Sequence, residues 1–164
     1  MELKKTILIL SMSSGILAII SSFLWWWGIY YNGIWNGLSM IDAIIWAFNN
    51  NWYVTLDPFI EPLCYIYYIA ALILLSGGII TILNGFKPKK LIVLLSIIII
   101  SIGIALLIAF VIGYFIVSNI NFIYFFLYVY NNEFIGLGPG FYCGIASLIL
   151  CVFNLRSTLK LLKK

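Results

Sequence analysis

GFKPKKLIVLLSIIIISIGIALLIAFVIGYFIV, residues 85–117, is the stretch whose reading decides the fold. A turn holding Lys87, Lys89 and Lys90 runs straight into 27 residues, 91–117, that carry no charge at all. About 20 apolar residues suffice for a helix to cross the ~30 Å hydrocarbon layer of a bilayer. At 1.5 Å per residue this run reaches about 40 Å, so it must tilt or project beyond the hydrocarbon.

Working outward, the same pattern recurs at about 6–27, 61–84 and 138–155, which makes four spans with 91–118. An inner turn, 85–90, joins the middle pair. Two outer segments, 28–60 and 119–137, complete a single membrane domain. The first run begins like a signal peptide. It lacks an A-x-A-like site and is too long for an h-region, so it reads as an uncleaved anchor. The whole composition agrees: of 164 residues 65% are hydrophobic and 9% charged, with a mean hydropathy of +1.16. A soluble domain is about half apolar and a quarter charged.

Charge sets the expected orientation. Lys4, Lys5, Lys87, Lys89, Lys90, Arg156, Lys160, Lys163 and Lys164 all fall on one side of the four spans. Asp42, Asp57, Glu61 and Glu133 fall on the other. The positive-inside rule places both termini in the cytoplasm of a multi-pass cell-membrane protein. The net charge of +4 is thereby explained without nucleic acid.

The segment 25–62 holds all six tryptophans and no Lys or Arg. Tyr30-Tyr31-Asn32-Gly33-Ile34-Trp35 places Asn-Gly between β-formers, a hairpin signal. Ser39 with Asp42 forms a weak capping box for a short helix over 40–48, which Asn49-Asn50-Asn51 ends. Residues 52–56 and 122–130 read as strands. Trp25, Trp26 and Trp27 are expected in the aromatic belt at headgroup level. Tyr30, Tyr31, Trp35, Trp46, Trp52 and Tyr53 are expected to form an assembly interface, since such interfaces are rich in aromatics and poor in Lys.

Small residues recur at helical spacing: Ser11, Gly15, Ala18 and Ser22 in the first span; Ser101, Ala105, Ala109 and Gly113 in the third; Gly140, Gly144, Ser147 and Cys151 in the fourth. Close backbone approach at such seams drives association in lipid. The shared 4-3-4 spacing of the first and fourth predicts that they pack antiparallel in a left-handed bundle.

Chemistry is harder to find. No His is present, which removes the commonest metal ligand and proton shuttle. Cys64, Cys143 and Cys151 lack metal spacing and read as small apolar packing residues. Transporters keep charge at membrane depth, and these spans carry none away from their ends. Neither catalytic residues nor a cofactor are expected. The expected fold is an all-α membrane bundle of four transmembrane helices with a small extracellular β-sheet and short helix. Its expected partners are membrane lipids and further copies of the chain, in a homo-oligomer or lattice that organises membrane or vesicles. The alternative is an accessory subunit of a respiratory or transport assembly.

This layout (a short inner turn, a large first outer loop, a smaller second one) resembles that of the claudin-like tetraspan proteins. Trp35-Asn36-Gly37-Leu38 is similar to the start of the claudin W…GLW signature, with Ser39 in place of the final Trp and the two following cysteines absent. The resemblance implies strands from both loops joined in one outer sheet, with one strand from the second loop, and lateral association of subunits. The Ile-rich composition and the lack of an N-x-S/T sequon read as prokaryotic or archaeal.

On a background lacking Cys64, Cys143 and Cys151, cysteines at 86 and 164 are expected to resist an impermeant thiol reagent in intact cells. A cysteine at 50 is expected to react. Labelling at 86 from outside overturns the orientation.

Overall fold

A computed structural model of the chain describes residues 2–24, 26–31, 34–37, 61–117, 127–130 and 133–162. It is mostly helical. Four helices, α1 (Glu2–Phe23), α2 (Glu61–Phe86), α3 (Lys90–Val117) and α4 (Pro139–Leu162), have 22, 26, 28 and 24 residues. Each is long and apolar enough to cross a membrane.

The helix ends follow local chemistry. Glu2 lies in the first turn of α1, where a carboxylate complements the helix dipole. Pro139 opens α4 at a position whose N–H needs no partner. Between α2 and α3 the chain reverses in three residues: the Asn84 side-chain carbonyl accepts from the Lys89 amide at 3.0 Å, and Pro88 cannot continue a helix. α1 stops at Phe23, short of the expected 27, and α4 runs on to Leu162, past the expected 155.

Packing makes a ring in which α3 lies on α2, α2 on α1 and α1 on α4, closed by a smaller α3–α4 contact. The core is apolar and aromatic: Trp26, Tyr67, Ala70, Leu74, Ile100, Leu107, Phe110 and Val111. Tyr67 stacks edge-on against Phe110 at 5.1 Å. α1 and α2 touch backbone to backbone. A Cβ on Gly15 would lie 2.6 Å from the Gly78 carbonyl, and one on Gly78 would lie 2.7 Å from the Gly15 carbonyl.

Beyond the helices lies a four-stranded antiparallel sheet of order β2-β1-β4-β3, with β1 (Trp27–Tyr31), β2 (Ile34–Gly37), β3 (Leu127–Tyr130) and β4 (Glu133–Leu137). Tyr31 pairs with Ile34 and Tyr30 with Trp35, the register expected of the first hairpin. Tyr130 pairs with Glu133 in the same way. The second outer segment thus contributes two strands where one was expected. A lone strand would have left one edge of β4 unpaired. The central pair β1–β4 prolongs the α1–α4 pair, since β1 follows α1 and β4 leads into α4. The expected helix over 40–48 and strand over 52–56 lie outside the described residues, as does the 122–126 part of the other expected strand.

Gly78→Val is expected to force α1 and α2 apart and to cost about 1–3 kcal/mol, the usual range for overpacking. Ala109→Val, on the exposed side of α3, is expected to be near neutral. Denaturant titration of the chain in detergent measures both.

Candidate functional site

The described residues offer one densely built polar site, and it lies inside the bundle where α1 meets α4. Lipid supplies no hydrogen bonds, so a hydroxyl or amide within a span must find its partner in the protein. Here the partners lie across the helix pair. Ser14 Oγ donates to the Ser147 carbonyl and Ser147 Oγ donates to the Ser14 carbonyl, both at 2.8 Å. Each side chain thus bonds the backbone of the facing helix, and the two hydroxyl oxygens are 3.3 Å apart.

The same ladder continues in both directions. Towards the sheet, Ser21 Oγ donates to the Gly140 carbonyl at 2.8 Å. Towards the basic end, Asn154 Nδ2 donates to Ser11 Oγ at 2.7 Å. Rising numbers on α1 meet falling numbers on α4, so the pair is antiparallel. Cys151 Sγ sits 2.9 Å from Ser14 Oγ and 3.8 Å from Thr81 Oγ1, which ties α2 into the same cluster. Ser11, Ser14, Ser21, Thr81, Asn84, Ser147, Asn154 and Thr158 are all fully buried and all uncharged.

Trp26 closes the sheet end of this seam. Its indole is buried, donates from Nε1 to the Ser21 carbonyl at 2.9 Å, and meets Phe141 edge-on at 5.7 Å. Gly144 leaves the space it fills: a Cβ there would lie 2.8 Å from Cζ2 of the indole. The Gly138 amide donates to the Trp26 carbonyl at 2.8 Å, one step before the β1–β4 ladder begins at Trp27 and Leu137. The belt expected of Trp25, Trp26 and Trp27 therefore does not hold for Trp26, which faces protein. Its N–H bonds a carbonyl in the last turn of α1, where carbonyls lack an intrahelical partner.

The expected packing stripes divide three ways. Ser11, Gly15, Ala18 and Ser22 are buried, as are Gly140, Gly144, Ser147 and Cys151. Gly15, however, abuts α2 rather than α4, because α1 lies between two helices and shows a separate face to each. In α3 the expected stripe is turned away from its neighbours: Ala105 and Ala109 are exposed, and Ser101 and Gly113 half-buried. The contact face carries Val93, Ser96, Ile100, Ile104, Leu107 and Phe110 instead. Branched side chains interlock there, with Gly103 admitting Leu74, and lipid accepts an Ala-rich face at no cost.

Ser14, Ser21 and Asn154 are seam residues that spacing alone did not single out. The available signal was chemical: an Asn or repeated Ser inside a span needs a partner helix. Of the expected assembly residues, Tyr30, Tyr31 and Trp35 lie on paired strands, with Tyr30 opposite Trp35. Trp46, Trp52 and Tyr53 lie outside the described residues, as do Asp42 and Asp57. Among the described residues no group of three His, Cys, Asp or Glu is placed to hold a metal.

Trp26→Phe removes one hydrogen bond and part of a buried ring. A loss of about 1–3 kcal/mol is expected, together with faster hydrogen exchange at the Gly138 amide and along β1–β4. Unchanged exchange there would show that the sheet is held independently of the indole.

No protein-family model, no curated protein and no solved structure matches this chain. The likeness to claudin-like tetraspans accordingly rests on layout, and the reading of function rests on the geometry above.

Proposed function

We propose that this chain is a structural, non-enzymatic tetraspan of the cell membrane that associates laterally with its own copies through its sheet layer, organising membrane or vesicles. The sheet layer faces outward and the basic end, with both termini, faces the cytoplasm, as the distribution of Lys and Arg requires.

The observation that carries the reading is the sheet edge. Among the described residues β2 and β3 each pair on one side only. An open edge presents a row of backbone donors and acceptors that another strand can extend. The layer is also mounted firmly, since Trp26 and the Gly138 amide join its central strands to α1 and α4. Contact made at the edge is thereby passed to the bundle. The interior supports the same class of function: buried neutral groups bonded to one another hold helices together, whereas ion transport needs ionisable groups at depth.

The outward stripe of α3 favours a second reading, the accessory subunit. Ala105 and Ala109 are small and exposed, a surface onto which the helix of another protein could close tightly.

Purification in mild detergent separates the two. A uniform oligomer of this chain alone is the expected result, and co-purifying subunits in fixed stoichiometry would favour the second. Alanine at a central interface aromatic is expected to cost about 2 kcal/mol, roughly thirtyfold in association. Neighbouring strand residues point to opposite faces, so one of Tyr30→Ala and Tyr31→Ala is expected to abolish assembly in a folded protein while the other is tolerated. If Ala at Tyr30, Tyr31, Trp35, Trp46, Trp52 and Tyr53 in turn leaves assembly intact, the self-association reading fails.

A further inference from the structure

The basic end of the bundle holds three buried polar atoms that no hydrogen bond within the described residues satisfies: Asn84 Nδ2, Asn154 Oδ1 and Thr158 Oγ1. All three side chains are fully buried. The other half of each amide is already committed, Asn84 Oδ1 to the Lys89 amide and Asn154 Nδ2 to Ser11 Oγ. What remains is one donor, one acceptor and one hydroxyl able to act as either.

The helix geometry gathers them. α2 and α4 are both antiparallel to α1 and so run in the same direction. They approach at Thr81 and Cys151, 3.8 Å apart. Asn84 and Asn154 each lie three residues farther along, a rise of about 4.5 Å on both helices. Ser11 of α1 lies beside both helices at this level: Asn154 bonds its Oγ, and a Cβ on Gly85, the residue after Asn84, would lie 3.0 Å from its Cβ. Thr158 follows Asn154 by one turn on the same buried face.

We propose that these three groups hold one ordered water molecule, which joins α1, α2 and α4 at the basic end. Water accepts from Asn84 Nδ2, donates to Asn154 Oδ1 and exchanges its third bond with Thr158 Oγ1, within the two to four partners a buried water takes. A cation does not suit the site, because Asn84 Nδ2 is a donor and among the described residues no group of three His, Cys, Asp or Glu is placed to hold a metal. A direct bond between the two amides would satisfy one donor and one acceptor but leave the Thr158 hydroxyl orphaned.

The test is water-edited NMR on the full chain in nanodiscs, labelled with ¹⁵N at asparagine and tryptophan. A cross-peak from water to the Asn84 side-chain amide protons is expected in the native protein. It is expected to fall at least several-fold in Asn154→Leu and in Thr158→Val, each of which leaves Asn84 in place. The Trp26 indole signal reports in every sample that the bundle is folded. No cross-peak in the folded native protein overturns the proposal. So does an Asn84 cross-peak indifferent to both substitutions, or a direct Asn84–Asn154 contact without water.

Discussion

The reciprocal bond between Ser14 and Ser147 is the contact on which the rest of the molecule depends. Two hydroxyls, each donating to the facing backbone at 2.8 Å, fix the separation and the register of α1 and α4 together. In lipid no hydrophobic force draws two apolar helices together, and a hydroxyl shifted off its carbonyl has no water to turn to. Each such bond contributes about 0.6 kcal/mol on average, so the steadiness of the pair comes from the series running through Ser11, Ser14 and Ser21. Register set inside the membrane then passes outward. Trp26 and Gly138 continue it, and β1 and β4 pair as a direct extension.

The sequence displayed this arrangement unevenly. The four spans are legible because a run of apolar residues in a bilayer has one regular solution, and the Asn32-Gly33 hairpin is legible because few dipeptides permit that turn. The stripes of small residues are less reliable guides. Ser11, Ala18, Ser147 and Cys151 are buried as spacing suggests, but Ala105 and Ala109 satisfy the same spacing and face outward. Lipid tolerates Ala as readily as a helix does, so spacing without a polar group carries little information. Trp26 shows the converse. A tryptophan near a span end suits the headgroup layer, and only tertiary structure reveals that Gly144 has made room for it inside. The second hairpin was hidden because Asn131-Asn132 is a weaker turn signal than Asn-Gly, and because the aromatic run before it reads as one long strand.

The polar interior also constrains function. Eight fully buried hydroxyl and amide side chains line the junctions of α1, α2 and α4, and none of them is ionisable. Their bonds run mostly between helices, Ser21 to Gly140 and Asn154 to Ser11 among them. Such a network favours one helix arrangement over its neighbours, and the sheet is mounted on that bundle. The distribution of chemistry follows the same division. Neutral groups lie inside and bond the spans to one another, Lys and Arg gather at one end, and the aromatic segments lie at the other.

The pairing of β1 with β4 also bears on how the chain must be made. Gly28 and Gly136 are partners although more than 100 residues separate them, whereas α2 and α3 are joined by a turn of three. A nascent chain emerging from its N-terminus can close the α2–α3 hairpin early, but α1 must wait in the membrane with Ser11, Ser14 and Ser21 uncommitted until α4 arrives. Long-range closure of this kind is slow, because loop entropy is lost before any contact compensates it. A half-made chain therefore carries a marker of its own immaturity: a first helix whose Ser14 and Ser21 hydroxyls lack their carbonyl partners until the last helix is made.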